Sequence, residues 1–182
     1  MALLVATFVI MSLMTGVAVA SVTAGSTSPV AAQVGPTDTG DVIYRANAGG
    51  SVSATDGGAD WLDDAQYLVA GQDETSSSNP APSAIDDSVP AGTPAAIWDT
   101  ERWEPEDGEE LQYEFDVDAG TEVHVRLYFY DGYSETSSPG DRVFDISVEN
   151  QTVENFDPIA AYGDQTAGME AFTVTSDGTI DI

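Results

Sequence analysis

Residues 109–130 read EELQYEFDVDAGTEVHVRLYFY, and this stretch decides the fold. Its apolar side chains take every second position over residues 111–117 and again over residues 123–129, and an Asp-Ala-Gly turn separates the two runs. Successive side chains of a β-strand point to opposite faces, so we expect two antiparallel strands with one face in a core and the other in solvent. On the second strand, the side chains predicted to face solvent are His124, Arg126, Tyr128 and Tyr130.

The pattern continues outward from this hairpin in both directions. Further strands are predicted over residues 42–44, 144–148, 153–156, 172–174 and 179–182. Residues 51–71 are rich in turn signals, and residues 72–94 form a long surface loop that contains four prolines. No window has a helical period. Many short strands separated by turns predict an all-β fold, an antiparallel jelly-roll-like β-sandwich.

The charge of the chain is strongly one-sided. It carries 32 acidic side chains against 4 basic ones, all of them arginine, for a formal net charge of −28. At molar salt the Debye length falls to about 3 Å, which screens the repulsion between these carboxylates. The composition is therefore typical of a halophilic, acidic protein. The same charge excludes nucleic acid and anionic membrane surfaces as partners, and the absence of cysteine excludes disulfides and thiol chemistry.

Residues 1–32 are predicted to be a targeting segment. They are mostly apolar at first and then contain small-residue cleavage patterns. The segment is either a signal peptide that is removed on export or an N-terminal membrane anchor. Residues 33–41 are a polar linker. Residues 42–182 are the folded domain, which is predicted to be extracellular or at the cell surface and to be truncated within its C-terminal sheet.

Five segments of the chain resemble, in order, the malectin and malectin-like domains. They are residues 43–50 (IYRANAGG), 100–103 (TERW), 123–130 (VHVRLYFY), 142–146 (RVFDI) and 156–159 (FDPI). Each segment alone is weakly specific, whereas five in the same order are more specific. The resemblance implies a non-catalytic β-sandwich that binds glucose-containing oligosaccharides through aromatic side chains on loops at one end of the sandwich.

The resemblance assigns the sugar-binding positions to Tyr67, Trp98, Tyr133 and Ser134. Ser134 departs from the family pattern, because it supplies a hydroxyl where an aromatic ring is expected. Asp131 is an adjacent polar candidate. An aromatic ring covers the apolar C–H face of a neutral sugar while carboxylates and hydroxyls bind its rim, so these residue types suit that ligand. For Tyr67 and Trp98 the residues alone leave packing in the core open as an alternative.

Other polar residues have structural and functional interpretations. Arg102 and Arg142 are bordered by acids in the sequence, which predicts structural ion pairs. Asn150 begins an N-x-T sequence and is a candidate glycosylation site. Four aspartates offer a Ca²⁺ site as an alternative to an acidic, halophilic surface, although their spacing is not that of an EF-hand. They are Asp56, Asp60, Asp63 and Asp64.

These observations predict a non-catalytic carbohydrate-binding module of an exported protein, with an oligosaccharide or glycan as its partner and with no cofactor or metal. Two alternatives are a structural or adhesion module without its own ligand and an accessory domain of a glycoside-processing enzyme. No catalytic residue is predicted. His124 is the only histidine and has no serine motif beside it, and with 32 acids a pair of carboxylates at glycosidase spacing arises by chance.

Overall fold

The computed structural model describes residues 9–15, 41–71, 75–76, 79–103 and 109–182. Its strands are β1 (Val9–Thr15), β2 (Val42–Asn47), β3 (Leu62–Asp63), β4 (Leu68–Ala70), β5 (Thr75–Ser76), β6 (Ala84–Ile85), β7 (Glu101–Arg102), β8 (Gln112–Asp116), β9 (Glu122–Phe129), β10 (Phe144–Val148), β11 (Gln151–Phe156), β12 (Thr166–Thr175) and β13 (Thr179–Asp181). The described residues also form one α-helix, α1 (Pro158–Tyr162), and two 3-10 turns, Asp64–Gln66 and Ala95–Asp99.

β9 lies inside the larger sheet, whose strand order is β3-β2-β1-β9-β12-β6. β9 and β12 are antiparallel and pair continuously from Phe129 and Gly168 at one end to Glu122 and Thr175 at the other. The β-branched and aromatic residues of β9 suit a pleated strand that packs on both sides. β9 is therefore a central strand, paired on both sides, and it supports the loop that follows it.

A smaller sheet of order β13-β8-β4 faces the larger one across the main core, and the β10–β11 hairpin completes this second layer. β8 confirms the predicted alternation, since Tyr113 and Phe115 are buried while the three residues around them are exposed. Ile146 and Val148 of β10 join the same core. The predicted all-β sandwich is confirmed.

The opposite face of β9 is buried as well, which the alternating pattern did not predict. Arg126, Tyr128 and Tyr130 are only 6%, 2% and 1% exposed. A second apolar cluster covers them, with Trp61 at 6.0 Å from the Tyr128 ring and Trp98 at 6.2 Å from the Tyr130 ring, between centroids. The prediction that these three side chains face solvent is wrong, because residues before β3 and before β7 fold over this face. Tyrosine tolerates such a position when its hydroxyl finds a partner.

Helix α1 also departs from the prediction, which gave no helix. Asp157 caps it by accepting hydrogen bonds from the N–H groups of Ile159 and Ala160, at 3.0 and 2.9 Å, and Pro158 occupies the first turn. Gly163 follows with a φ of 105°, which ends the helix. A helix of five residues is too short for a hydrophobic period to be visible in the sequence.

β1 carries part of the predicted targeting segment into the larger sheet. Its backbone pairs with β2 on one side and with β9 on the other. The rest of the predicted segment 1–32 and residues 33–40 of the predicted linker lie outside the described residues. Removal of the segment on export therefore stays a prediction. Among the described residues, no helix has the length and apolar character needed to span a membrane.

Candidate functional site

The loop after β9 is organised around the buried carboxylate of Asp131. Its Oδ1 accepts hydrogen bonds from the Tyr133 N–H at 3.0 Å and from the Thr136 hydroxyl at 2.9 Å. Its Oδ2 lies 2.9 Å from Arg142 Nε, and both side chains of this ion pair are 2% exposed. An Asp that accepts from the backbone two residues further on forms an Asx turn, which fixes how the chain leaves the strand. The ion pair then ties the two ends of the loop together.

Burial and charge act against each other in this pair. Burial raises the pKa of Asp131, while the charge of Arg142 and the hydrogen bonds from Tyr133 and Thr136 oppose that rise. Burial likewise lowers the pKa of Arg142, and the charges of Asp131 and Glu101 oppose that change. Glu101 of β7 thus belongs to the same electrostatic cluster. Because a buried charge without its partner is costly, both side chains are needed to hold the loop.

Two more aspartates fix the second half of the loop. Asp141 Oδ2 accepts hydrogen bonds from the N–H groups of Ser137 and Ser138, at 3.1 and 2.9 Å. Asp157, the residue that caps α1, uses its other oxygen to accept from the Gly140 N–H at 2.6 Å. Nearly every turn of the loop is therefore held by a carboxylate, and the scaffold presents the loop as a rigid element.

The apex of this loop carries a ring, a hydroxyl and a carboxylate on consecutive residues. Tyr133 is half-buried, whereas Ser134 and Glu135 are exposed. A hydrogen bond to Glu135 raises the pKa of Tyr133. The apex therefore offers an apolar surface beside groups that donate and accept hydrogen bonds, which is the combination a neutral polar ligand requires.

Tyr130 connects the loop to the cluster beneath it. Its hydroxyl donates to the Pro80 carbonyl at 2.9 Å. Its ring lies against Gly132, where an added Cβ would be 2.8 Å from a ring carbon, so only glycine allows this approach. Trp98 meets the Tyr130 ring edge-on, with the planes inclined at 74°. Trp98 thus supports the loop from below.

Four of the five predicted sugar-binding residues belong to this region of the structure. Asp131, Tyr133 and Ser134 share the loop, and Trp98 reaches it through Tyr130. Trp98 is 1% exposed, so its ring is covered by neighbouring side chains in this conformation. Of these four residues, Tyr133 and Ser134 are the two that reach the surface.

The fifth predicted residue, Tyr67, lies elsewhere. Its ring stacks on Phe115 at 4.4 Å and meets the edge of Tyr44 at 5.6 Å, both in the main core, and burial raises its pKa. The main core contacts the odd-numbered residues of β9, whereas the second cluster contacts Tyr128 and Tyr130. Since alternate residues lie on opposite faces of a strand, Tyr67 packs on the face of β9 opposite to the one that Trp98 covers.

Arg102 and Arg142, which are both buried, form ion pairs as predicted, but with partners that are not their neighbours in the sequence. Arg102 donates from Nε and Nη2 to the two carboxylate oxygens of Asp64, at 2.6 and 2.8 Å. Asp64 also accepts from the Tyr113 hydroxyl at 2.8 Å and from the Gly49 N–H at 3.0 Å. This single carboxylate therefore links four parts of the chain. They are the turn after β2, the 3-10 turn Asp64–Gln66, β7 and β8.

The aspartates considered as a calcium site take separate partners. Asp56 pairs with Arg45, and Asp64 holds Arg102. The other two, Asp60 and Asp63, accept from nearby backbone N–H groups at 2.8 and 2.9 Å. Within the part of the chain that the structure describes, no three His, Cys, Asp or Glu side chains converge as metal ligands.

The candidate glycosylation site, Asn150, is exposed at the tip of the β10–β11 hairpin. It lies in the turn between Val148 and Gln151, which are paired across the hairpin. The N-x-T sequence is therefore accessible, and its glycosylation stays a prediction.

Sequence reasoning missed part of the loop's support. The Asp-Gly step after a long strand was a local signal for the Asx turn at Asp131. No local pattern points from Arg142 back to that carboxylate, or from Tyr130 down to Trp98. Thr136 carried no signal either, since hydroxyl side chains are common in surface loops.

A rigid β-sandwich that holds out a ring beside polar groups defines a binding module of the carbohydrate-binding type. Residues 42–182 match the malectin domain, and the chain belongs to the malectin domain family. Malectin domains are non-catalytic binding modules.

Two solved structures resemble this chain. One is the plant receptor-like kinase FER, with 25% sequence identity and a TM-score of 0.63 over 76% of this chain and 42% of that one. The other is the complex of the plant peptide RALF23 with FER and LLG2, with 25% identity and a TM-score of 0.61 over 76% and 41%. The chain thus spans about two-fifths of the length of these structures. No curated protein matches it.

Proposed function

We propose that this domain is the carbohydrate-binding module of an exported, cell-surface protein, and that it binds a glucose-type oligosaccharide at the apex of the loop after β9. Tyr133 covers the C–H face of one sugar ring, and Ser134 and Glu135 bind its hydroxyls. Asp131 and Trp98 act beneath them as supports of the loop. Tyr67 stabilises the main core and lies outside this site.

The observation that carries the proposal is the placement of a half-buried tyrosine on a loop whose two ends are tied by a buried ion pair. A loop that is already ordered loses little conformational entropy on binding, so a small contact surface can still give measurable affinity. Membership of the malectin family supports a sugar as the ligand class. Similarity to a plant receptor-like kinase supports a location at the cell surface.

Tyr133→Ala is expected to weaken binding of glucose oligosaccharides at least about tenfold, a loss of roughly 1.4 kcal/mol, because the stacking surface is removed. Titration calorimetry with glucose di- to hexasaccharides, in KCl of about 1 M to screen the carboxylates, measures the affinity. The melting temperature is expected to stay unchanged, since the ring is half outside the core.

Val69→Ala is the control for Tyr133→Ala. Val69 is 60% exposed on β4, away from the loop after β9, so this change should leave sugar affinity intact. If the folded wild-type protein shows no binding to any glucose oligomer, the sugar proposal fails and a structural or adhesion module replaces it. Hydrolysis of the oligosaccharide by a protein that contains this domain would instead favour an accessory domain of a glycoside-processing enzyme.

We also propose that the domain works at high salt. With a formal net charge of −28, the folded state holds like charges closer together than the unfolded state does, so their repulsion destabilises the fold. Lowering KCl from about 2 M to about 0.1 M lengthens the Debye length to about 10 Å and is expected to lower Tm. Calorimetric melting in a series of KCl concentrations tests this, with NaCl at matched ionic strength as the control. A Tm that is constant across the series would rule out the halophilic interpretation.

A further inference from the structure

The carboxylate of Asp157 is divided between two elements of the fold. Its Oδ1 accepts hydrogen bonds from the N–H groups of Ile159 and Ala160 in the first turn of α1, at 3.0 and 2.9 Å. Its Oδ2 accepts from the Gly140 N–H in the loop after β9, at 2.6 Å. The whole β10–β11 hairpin separates residues 140 and 157 in the chain. One oxygen therefore caps the helix, and the other joins the helix to the loop.

Helix α1 is a fixed base for this bond. Its residues Pro158 and Ile159 are buried. The Tyr162 ring packs on the backbone of β12 at Gly168, where an added Cβ would overlap the ring. The Tyr162 hydroxyl also donates to Glu170 Oε1 of β12, at 2.7 Å. The position of α1 is therefore set by its contacts with β12 and the core, which do not involve the loop after β9.

Three contacts lead from Gly140 back to the apex of the loop. Arg142, two residues after Gly140, forms the ion pair with Asp131, with Nε and Oδ2 at 2.9 Å. Arg142 Nη2 also donates to the Thr136 hydroxyl at 3.4 Å. The Thr136 N–H donates in turn to the Tyr133 carbonyl at 3.2 Å. A shift of the backbone at Gly140 is therefore passed to the residue that carries the ring.

The backbone at Gly140 makes the position of the loop depend on this bond. Gly140 has a φ of 95°, in a region that glycine adopts at little cost but that is one of many conformations open to it. A hydrogen bond to a carboxylate is stronger than one to a neutral acceptor, so Asp157 selects this conformation from the others. Loss of the bond is expected to release the second half of the loop.

We propose that Asp157 is a positioning residue of the sugar site, which holds the loop after β9 in its binding conformation through Gly140 and does not itself contact the sugar. This role rests on the proposed function, since it concerns the same loop. When only a fraction of the molecules hold the loop in the binding conformation, the apparent affinity falls by that fraction. The sugar and the Gly140 bond therefore favour the same conformation, and each stabilises the other by the same factor.

The test is Asp157→Asn in the full chain. The Asn oxygen still caps α1, whereas its amide nitrogen is a donor and cannot accept from the Gly140 N–H. We expect the affinity for glucose oligosaccharides, measured by titration calorimetry, to fall about tenfold and amide exchange at Gly140 to become at least about tenfold faster. Exchange at Ala161, whose N–H donates to the Asp157 carbonyl within α1, should not change. Saturating sugar should slow exchange at Gly140 more in the variant than in the wild type, because the sugar then supplies the order that the lost bond supplied.

The matched control is Asp145→Asn, which removes the same charge from an exposed position on β10. The hydrogen bond that Asp145 Oδ1 accepts from the Asn155 N–H, at 2.7 Å, can be kept by the Asn oxygen. Wild-type affinity in Asp157→Asn would overturn the positioning role and leave the sugar site standing. An equal loss of affinity in both variants would also overturn it, since charge alone would then set the affinity. A folded wild-type protein that binds no glucose oligomer would instead refute the proposed function, and the positioning role with it.

Discussion

Asp64→Ala is expected to lower the free energy of unfolding by about 3–5 kcal/mol, because it removes the carboxylate that forms a buried ion pair with the Arg102 guanidinium. The carboxylate holds four hydrogen bonds from Arg102, Tyr113 and Gly49, all between 2.6 and 3.0 Å. Arg102 is 2% exposed, so water cannot replace the lost partner without opening the core. Urea unfolding followed by tryptophan fluorescence, in high salt, measures the change.

Asp87→Ala is the matched control, since Asp87 is an exposed carboxylate and its loss should change stability by no more than about 0.5 kcal/mol. The double variant Asp64→Ala with Arg102→Met should lose less than the sum of the two single changes, because both members of the ion pair are then removed together. Unfolding of Asp64→Ala at the same urea concentration as the wild type would show that the network contributes nothing net.

Trp98→Ala is expected to cost about 3–5 kcal/mol of stability, the range for removing a large ring from a packed core. Trp98 is 1% exposed and meets Tyr128 and Tyr130 edge-on, at 6.2 Å in both cases. The cavity would lie directly under the loop after β9, so any loss of sugar affinity should accompany the loss of stability. Thermal melting and sugar titration of the same samples measure both quantities.

Two further variants separate packing from direct contact at Trp98. Trp98→Phe keeps a ring in place and should lose less stability than Trp98→Ala. Trp103→Ala removes the same type of side chain from a half-buried position and should cost less than Trp98→Ala. A Trp98→Ala protein that melts like the wild type yet no longer binds sugar would place the Trp98 ring in direct contact with the ligand.

The strands could be predicted from the sequence wherever one face of the sheet is exposed to solvent. Over residues 111–117 and 144–148 the alternation of apolar and polar side chains matches the burial of the structure. There the apolar side chains face the core, and the polar ones face water and need no protein partner. The same logic failed at Arg126, Tyr128 and Tyr130, since the second cluster covers that face of β9. Their amphipathic side chains are compatible with both environments, so composition could not distinguish them.

The candidate site was only partly predictable. The resemblance to the malectin family pointed to the loop after β9, through Tyr133 and Ser134. It also grouped Tyr67 with Trp98, two aromatic residues that the larger sheet separates. An aromatic residue in a loop carries no local signal that tells which face of a sheet it will pack against, because that choice depends on where the whole loop folds.

The alternating side chains and the turn residues of the sequence determined a β-sandwich, and five ordered segments determined its family. Charge composition determined the acidic surface. Only the tertiary structure decided the ion-pair partners of Arg102 and Arg142, which are Asp64 and Asp131. The physical reason is that strand periodicity depends on residues that are neighbours in the sequence. An ion pair or a ring contact depends instead on which distant segments the packed sheets bring together.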